Sequence, residues 1–302
     1  MTEPRTTRSR RAPRSAVAVG VLIVLALTLE GCSGGKSTYH YQWNLFFDSI
    51  FRPDQQILNG LFLTIVISII SQFIGVVLGV FAALGKMSKV LPIRWFANLY
   101  VWFFRGTPLV VQLVFFYFGL SVAKIYTWPD FTIGPVTIEG AVQAGVFALG
   151  LNEGAYMAEI VRAGILAVDP GQMEAARALG MTPGKAMRRI VLPQAARVII
   201  PPLGNEFNNM LKTTSLLFVL SVVELYSTFN IKQGNSFSPF EDFLACAVWY
   251  LLLTTIWGVI QSWIERRLAK GTPGAAVGGG PSLRARMVGL RNNSGNQIGG
   301  RM

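Results

Sequence analysis

Hydrophobic residues in this chain are gathered into long runs, which are separated by short polar segments. Five of these runs are long enough to cross the hydrocarbon core of a bilayer. Lipid offers no partners to exposed backbone amides, so each run is expected to be a helix. The pattern therefore predicts an all-α integral membrane protein with a five-helix core, whose spans are 57–85, 95–123, 138–161, 198–225 and 243–264.

The first 32 residues have the character of a signal peptide or a signal anchor. Residues 1–15 carry five arginines, and 16–29 form an uncharged run of 14 residues, which is short for a span and typical of a signal-peptide core. The sequence Leu29-Glu30-Gly31-Cys32 that follows resembles a lipobox, although Glu30 stands where a small or apolar residue is usual. Both an uncleaved anchor and a cleaved chain lipidated at Cys32 are consistent with this segment.

The basic residues indicate how the chain is oriented in the membrane. The net charge of +12 is spread over short segments between apolar runs, which favours membrane topology over nucleic-acid binding. Of the 27 Lys and Arg, 21 fall on one side of the predicted topology, which is therefore cytoplasmic. The cytoplasmic segments are 1–15, 86–94, 162–197 and 265–302. Residues 33–56 are expected outside, and the tail 269–302, rich in Gly, Asn and Arg, is expected to be a disordered basic segment.

Several function classes are disfavoured by the composition. Two cysteines and one histidine give little basis for a disulfide framework, a metal site or a histidine-based catalytic site. Residues 31–37 approach a phosphate-binding loop, but Glu30 occupies the position where that motif needs glycine. We therefore expect no catalytic residues, no metal and no directly bound cofactor.

One polar stretch, 169–195, is far more organised than an ordinary connecting loop. Asp169 and Pro170 suit the start of a helix, and Gly180 suits the left-handed position just after its end. Thr182 and the proline after it repeat the start signal, and a second short basic helix follows until Pro193 perturbs it. The sequence predicts two short helices joined by a tight turn, which could lie on anionic lipid or dock a cytoplasmic partner.

Four motifs in this chain, in order, resemble those of polar amino-acid permeases of ATP-binding-cassette (ABC) importers. They are FRGTPLVVQL at 104–113, GAYMAEIVRAGI at 154–165, EAARALG with the ending IVLPQA at 174–195, and NEFNNMLKTTSL at 205–216. The resemblance covers about 57–268 and implies the permease domain of a binding-protein-dependent importer, of the histidine, glutamine or arginine permease kind, in a bacterial inner membrane. Its substrate would be a polar amino acid such as glutamine, glutamate, arginine, histidine or cystine.

The same resemblance implies partners. Such an importer has two permease subunits, two cytoplasmic ATPase subunits that use the ATP, and an external binding protein. In that family the polar stretch, known as the EAA loop, forms a coupling helix that sits in a groove of the ATPase. The coupling residues that the motif implies here are Glu174, Ala175, Ala176, Gly180, Arg188 and Arg189.

Polar residues inside the predicted spans point to a path through the membrane. A charge at the centre of a span costs about 2.5–3.5 kcal/mol, so each one needs a partner or water. One face of the fourth run carries Asn205, Asn208, Asn209, Lys212 and Ser215, with Glu206 and Thr213 beside it. Lys212 could meet the carboxylate of a zwitterion, and Glu206 or Glu153 its ammonium; alternatively, the stripe makes interhelical hydrogen bonds and a glutamate neutralises Lys212. The candidate pathway residues are Glu153, Glu206, Asn209, Lys212, Thr213 and Ser215.

Three further patterns concern helix packing. Glu159 and Arg162 are one helical turn apart and are expected to pair. A small-residue seam at Gly150, Gly154 and Ala158 is expected to admit another helix closely. Pro108 interrupts the second span, as a hinge or a kink, and Arg105 is expected to be buried against a carboxylate or carbonyls.

Two other classes of protein fit the sequence less well than a permease does. An ATP-independent secondary carrier would not need the organised EAA loop, and a membrane-embedded enzyme would need a nucleophile or an acid–base set near an interface. The chain supplies no such set beyond its single histidine, His40.

Overall fold

The computed structural model describes residues 39–134 and 136–269. Residues 39–42 belong to a separate N-terminal unit, and the unit described below begins at Trp43. Its helices are α1 (Trp43–Phe51), α2 (Gln55–Lys86), α3 (Leu91–Gly106), α4 (Leu109–Val114), α5 (Leu120–Val122), α6 (Gly140–Leu166), α7 (Pro170–Ala178), α8 (Pro183–Ala186), α9 (Leu192–Thr213), α10 (Leu225–Ser236) and α11 (Pro239–Ala269). Strands β1 (Phe131–Ile133) and β2 (Val136–Ile138) pair antiparallel, with Phe131 opposite Ile138.

The helical membrane architecture predicted from the apolar runs is confirmed. Among the described residues, α2 and α11 up to Leu268 are each long and apolar enough to cross a membrane alone. Two bent helix pairs could each form one further span. The outward face of α2 is apolar and open, with Phe62, Phe73 and Phe81 each 68–69% exposed, as suits a surface that meets lipid.

Helices α2 and α6 form the closest helix pair in the core. Gly75 and Gly79 of α2 face Glu153 and Met157 of α6, and a Cβ atom at either glycine would lie less than 3 Å from those side chains. A Cβ atom at Gly154 of α6 would likewise lie less than 3 Å from the side chain of Leu78 on α2. The predicted small-residue seam of α6 is thus confirmed, and α2 contributes matching glycines of its own.

The second predicted span is broken beside Pro108, as the sequence indicates, and the fourth is also broken, which the sequence did not indicate. The second turns through 107° between α3 and α4, and a π-helical turn, Phe115–Gly119, follows before α5. The fourth begins earlier, at Leu192, and its α-helix stops at Thr213, after which Thr214–Leu220 form a tighter 3₁₀ helix. Ser221 then adopts a left-handed conformation, and α10 leaves at 52°.

A core of apolar side chains ties the bent elements to the straight ones. It includes Ile67 of α2, Leu113 of α4, Leu149 of α6, Met210 of α9 and Leu217 of the 3₁₀ helix. The broken spans therefore pack against α2 and α6, and the cavity described next is lined in part by residues of this core.

Candidate functional site

A cavity of about 630 Å³ lies between α4, α6 and α9. It contains all six candidate pathway residues from the sequence, which three separate elements bring together. The lining consists of Leu109, Leu149, Asn152, Glu153, Tyr156, Glu206, Asn209, Met210, Lys212, Thr213, Ser215 and Leu216. Its polar side chains come from α6, from α9 and from Ser215 of the 3₁₀ helix, and its apolar ones come from all of these elements and from α4.

Glu153 is the deepest acidic group of this cavity. Its residue surface is 6% exposed, and its carboxylate accepts a hydrogen bond of 2.9 Å from the Gln72 side-chain amide on α2. Gly75 lies directly behind Glu153, and its missing side chain leaves the space that the glutamate fills. The close α2–α6 contact therefore fixes the position of Glu153.

Two charged groups of α9, Glu206 and Lys212, are unpaired within the described part of the chain. Neither the Glu206 carboxylate nor the Lys212 ammonium has an ion-pair or hydrogen-bond partner among residues 39–134 and 136–269. Glu206 is close enough to Glu153 for the two carboxylates to repel each other. The expected alternative, in which a glutamate neutralises Lys212, does not occur among these residues.

The smaller polar residues of α9 and of the 3₁₀ helix after it present acceptors to the cavity. The hydroxyls of Thr213 and Ser215 donate to the carbonyls of Asn209 and Lys212, at 2.8 and 2.7 Å. Because each hydroxyl proton is used within the helix, the oxygen lone pairs remain available. The exposed side-chain amide of Asn209 adds both donors and an acceptor.

Gln112 and Asn152, which sequence reasoning missed, stabilise the break in the second span. Pro108 has no N–H, so the carbonyl of Phe104 loses its helical partner. The side-chain amides of Gln112 and Asn152 donate to that carbonyl at 2.9 and 3.0 Å, and Asn152 also donates to the Gln112 side chain. A glutamine four residues after the proline was the available signal; Asn152 gave none, because its partners are some 40 positions away.

An ionic cluster centred on Glu159 joins three helix ends. The Glu159 carboxylate accepts a hydrogen bond of 3.1 Å from Arg162, as predicted, and it also pairs with Lys86 at the end of α2. Arg105 approaches Glu159 at 3.9 Å and stacks over the Tyr156 ring. Arg105 does face a carboxylate, but its side chain is 43% exposed, so the expectation that it is buried was wrong. Its long side chain reaches past the end of α3, where packing does not enclose it.

The EAA loop folds in part as the sequence predicts, because α7 and α8 form a hairpin joined by a tight turn. The second helix is not a separate short one, however, since α8 continues through a π-helical turn into α9. Asp169 caps α7 by accepting from the Gly171 amide at 2.8 Å, and Thr182 caps α8. Gly180 has a φ of +80°, and its amide donates to Arg177 while the next amide donates to Ala176. This pair of hydrogen bonds is the Schellman arrangement that glycine favours at a helix end.

The coupling candidates lie mostly on the open surface of the hairpin. Glu174, Ala175, Arg188 and Arg189 are exposed, as is Gly180. Ala176, by contrast, is 4% exposed and faces the protein, so it does not belong to the docking face that its sequence neighbours suggest. Leu179 is 85% exposed and was missed, because an apolar residue in a short helix is usually assigned to the inward face.

The π-helical turn Met187–Val191 joins α8 to α9. It directly precedes Pro193, which lies in the first turn of α9, where a missing N–H is tolerated. The perturbation expected at Pro193 therefore takes the form of a widened turn, and the chain continues as a helix. Cys32, the candidate lipidation site, lies outside the described residues.

Comparisons with known proteins agree on one family. Residues 75–270 match the family model described as binding-protein-dependent transport system inner membrane component. The arginine transport system permease protein ArgU of Corynebacterium glutamicum is 40% identical over 259 residues, which are 84% of this chain and 80% of that protein. The L-cystine transport system permease protein TcyB of Bacillus subtilis is 40% identical over 211 residues, covering 70% of this chain and 85% of the relative.

A solved structure extends the agreement to three dimensions. The crystal structure of an amino acid ABC transporter with histidines superposes with a TM-score of 0.67 at 39% identity, covering 76% of this chain and all of that one. A transport component of this kind is not an enzyme, because ATP hydrolysis is on a separate subunit. The chain belongs to the family of binding-protein-dependent transport system inner membrane components and is the permease subunit of an ABC importer.

Proposed function

We propose that the cavity between α4, α6 and α9 is the path by which a polar amino acid crosses this subunit. The observation that carries the proposal is the unpaired Lys212 ammonium, which lies beside two carboxylates in one cavity. The ammonium is exposed, and no carboxylate among the described residues neutralises it, so it is available to an anionic partner that enters the cavity. The carboxylate of an amino acid is such a partner.

The arrangement of charges suits a zwitterion. Lys212 can bind the α-carboxylate, and Glu206, nearly two turns earlier in α9, can bind the α-ammonium. Asn209 and Thr213 lie on the same stretch of helix and can add hydrogen bonds. A cavity of about 630 Å³ has the size of ordinary small-molecule sites, so an amino acid fits with water around it.

The charge count of the cavity favours an amino acid with a cationic side chain. Two carboxylates and one ammonium leave a net charge of −1 in the lining, which a zwitterion does not neutralise. A substrate with an additional positive charge does, and Glu153 is the deeper carboxylate available to it. One relative named above is an arginine permease, which supports this assignment.

The exposed hairpin of α7 and α8 is proposed to dock a cytoplasmic ATPase. Its outward face carries Glu174, Ala175 and the adjoining Leu179, with Arg188 and Arg189 following. ATP would be used by the partner, with no cofactor bound by this chain. An external amino-acid-binding protein and a second permease subunit, identical or homologous, complete the proposed assembly, with the hairpin on the cytoplasmic side.

Uptake by the assembled complex in vesicles tests this function. We expect transport of labelled arginine, with citrulline, its uncharged analogue, and glutamate both transported at least ten-fold less well. Faster transport of glutamate or citrulline than of arginine would refute the charge assignment. An absence of amino-acid uptake by a complex that hydrolyses ATP would refute the proposed function itself.

A further inference from the structure

The side chain of Glu224 is fully buried and lies outside the proposed path. It caps the start of α10 and has no exposed surface. One carboxylate oxygen accepts from the amide and the hydroxyl of Ser227, at 2.9 and 3.1 Å. The other accepts from the Tyr226 amide and the Tyr250 hydroxyl, both at 3.0 Å, and from Thr64 at 3.3 Å. Five donors fill the lone pairs of one carboxylate, which accounts for its burial without a cation.

These donors come from three separate parts of the fold. Thr64 is on α2, Tyr250 is on α11, and the remaining donors are in the first turn of α10. Thr64 also accepts from the Leu225 amide at 3.1 Å, so α2 holds both the cap and the turn. Gly60 permits this approach, because a Cβ atom there would lie less than 3 Å from the Thr228 hydroxyl.

The network reaches the substrate cavity through Tyr250. A second, smaller cavity of about 300 Å³ is lined by Lys212, Ser215, Tyr226, Phe243, Cys246, Ala247 and Tyr250. Lys212 and Ser215 line both cavities. Tyr250, whose hydroxyl donates to Glu224, therefore lines the same small cavity as Lys212 and Ser215.

We infer that Glu224 is a positioning residue, which acts through Tyr250 to hold Lys212 and Ser215 toward the substrate. The need for such a device follows from the fold. The α-helix ends at Thr213, the next seven residues are 3₁₀, and the chain bends by 52° after the left-handed Ser221. Lys212 therefore stands at the end of its helix, where backbone hydrogen bonding is weakest. The carboxylate ties the segment after this end to α2 and α11.

The inference rests in part on the proposed function, because it concerns a residue of the proposed path. Two matched tyrosine variants test it. Tyr250→Phe removes the hydroxyl that donates to Glu224. Tyr226 lines the same small cavity, and Tyr226→Phe removes a hydroxyl that has no hydrogen-bond partner among the described residues. We expect Tyr250→Phe to raise the KM for uptake about ten-fold per assembled complex, as loss of a bond to a charged group would. Tyr226→Phe should leave KM unchanged.

Labelling of Cys246 gives a readout that does not depend on the substrate. Cys246 is 4% exposed and lines the small cavity. In a Cys32→Ser background, the rate at which a maleimide labels Cys246 therefore measures how often the wall of this cavity opens. We expect faster labelling in Tyr250→Phe and wild-type labelling in Tyr226→Phe. Faster labelling with unchanged KM would uphold the positioning network and refute the substrate role of Lys212.

Unchanged labelling and unchanged KM in Tyr250→Phe would overturn the inference, as would equal changes in the two tyrosine variants. If Tyr250→Phe does not assemble, Thr64→Val and Thr64→Ser decide by the same measurements. Serine keeps the hydroxyl that donates to Glu224 and should behave as wild type, whereas valine should raise KM. Equal behaviour of the two threonine variants would also overturn the inference.

Discussion

Gly180→Val should uncouple the hairpin from its partner without disturbing the membrane helices. Gly180 has a φ of +80°, and no heavy atom lies within 4 Å of the position that a Cβ would take. Steric room is therefore not limiting, and the penalty comes from the backbone alone. Holding a residue with a side chain in this region costs about 1–3 kcal/mol. At about 1.4 kcal/mol per factor of ten, the native turn loses up to about a hundred-fold in population.

The consequence falls on two hydrogen bonds. The amides of Gly180 and Met181 donate to carbonyls of α7 at 2.9 and 3.1 Å, and both bonds require the left-handed turn. Without them, α7 and α8 change their relative direction. Stimulation of ATP hydrolysis by the substrate-loaded binding protein, measured per mole of purified complex, should fall at least five-fold, while insertion in the membrane stays normal.

A matched substitution in the same hairpin controls for bulk. Gly184 likewise has no heavy atom within 4 Å of a Cβ position, but its φ is not positive and it lies inside α8. Gly184→Val should therefore couple normally. If Gly180→Val also couples like the wild type, the coupling assignment of 169–195 is refuted. Lower expression with unchanged coupling per complex would instead mark an ordinary structural hairpin.

Three further predictions concern separate parts of the chain. If Cys32 is lipidated, the intact mass of the membrane-extracted protein will show a shortened, modified chain, whereas an unmodified full-length mass excludes lipidation. Gly79→Val should weaken the α2–α6 contact by about 1–3 kcal/mol and lower the yield of folded protein, because the valine side chain would overlap Met157. A wild-type melting temperature of this variant would contradict the close contact. Glu159→Gln should destabilise the complex more in low salt than in high salt, because it leaves three cations without their carboxylate. An equal loss of stability at all salt concentrations would refute this reasoning.

The parts of the fold that follow from local rules could be predicted from the sequence. The apolar runs gave the helices, the repeat of small residues gave the α6 seam, and glycine after a capped helix gave the left-handed turn at Gly180. Each of these depends on neighbours within a few turns of one helix. The six pathway candidates were singled out because charged and polar residues within apolar runs stand out. The structure places all six in one cavity, and their role in transport stays a prediction.

The parts that could not be predicted depend on distant residues. Pro108 marked a break, but the 107° bend is held by amides from Gln112 and Asn152, of which the second is more than 40 residues away. The buried carboxylate of Glu224 gave no signal, because one of its donors, Thr64, is separated from it by 160 residues. The direction of Ala176 was also beyond the local pattern, since alanine suits either face of a short helix.

Lys212→Met tests the central claim, that the cavity of α9 is the amino-acid path. Methionine keeps the length and the apolar stem and removes only the ammonium, so assembly with the ATPase should stay normal. Loss of a hydrogen bond between charged groups costs about 1.5–3 kcal/mol, so uptake of labelled arginine should fall about ten-fold or more. Lys232→Met, which removes a cation paired with Asp54 away from the cavity, is the matched control and should transport normally. Normal uptake by Lys212→Met would contradict the account.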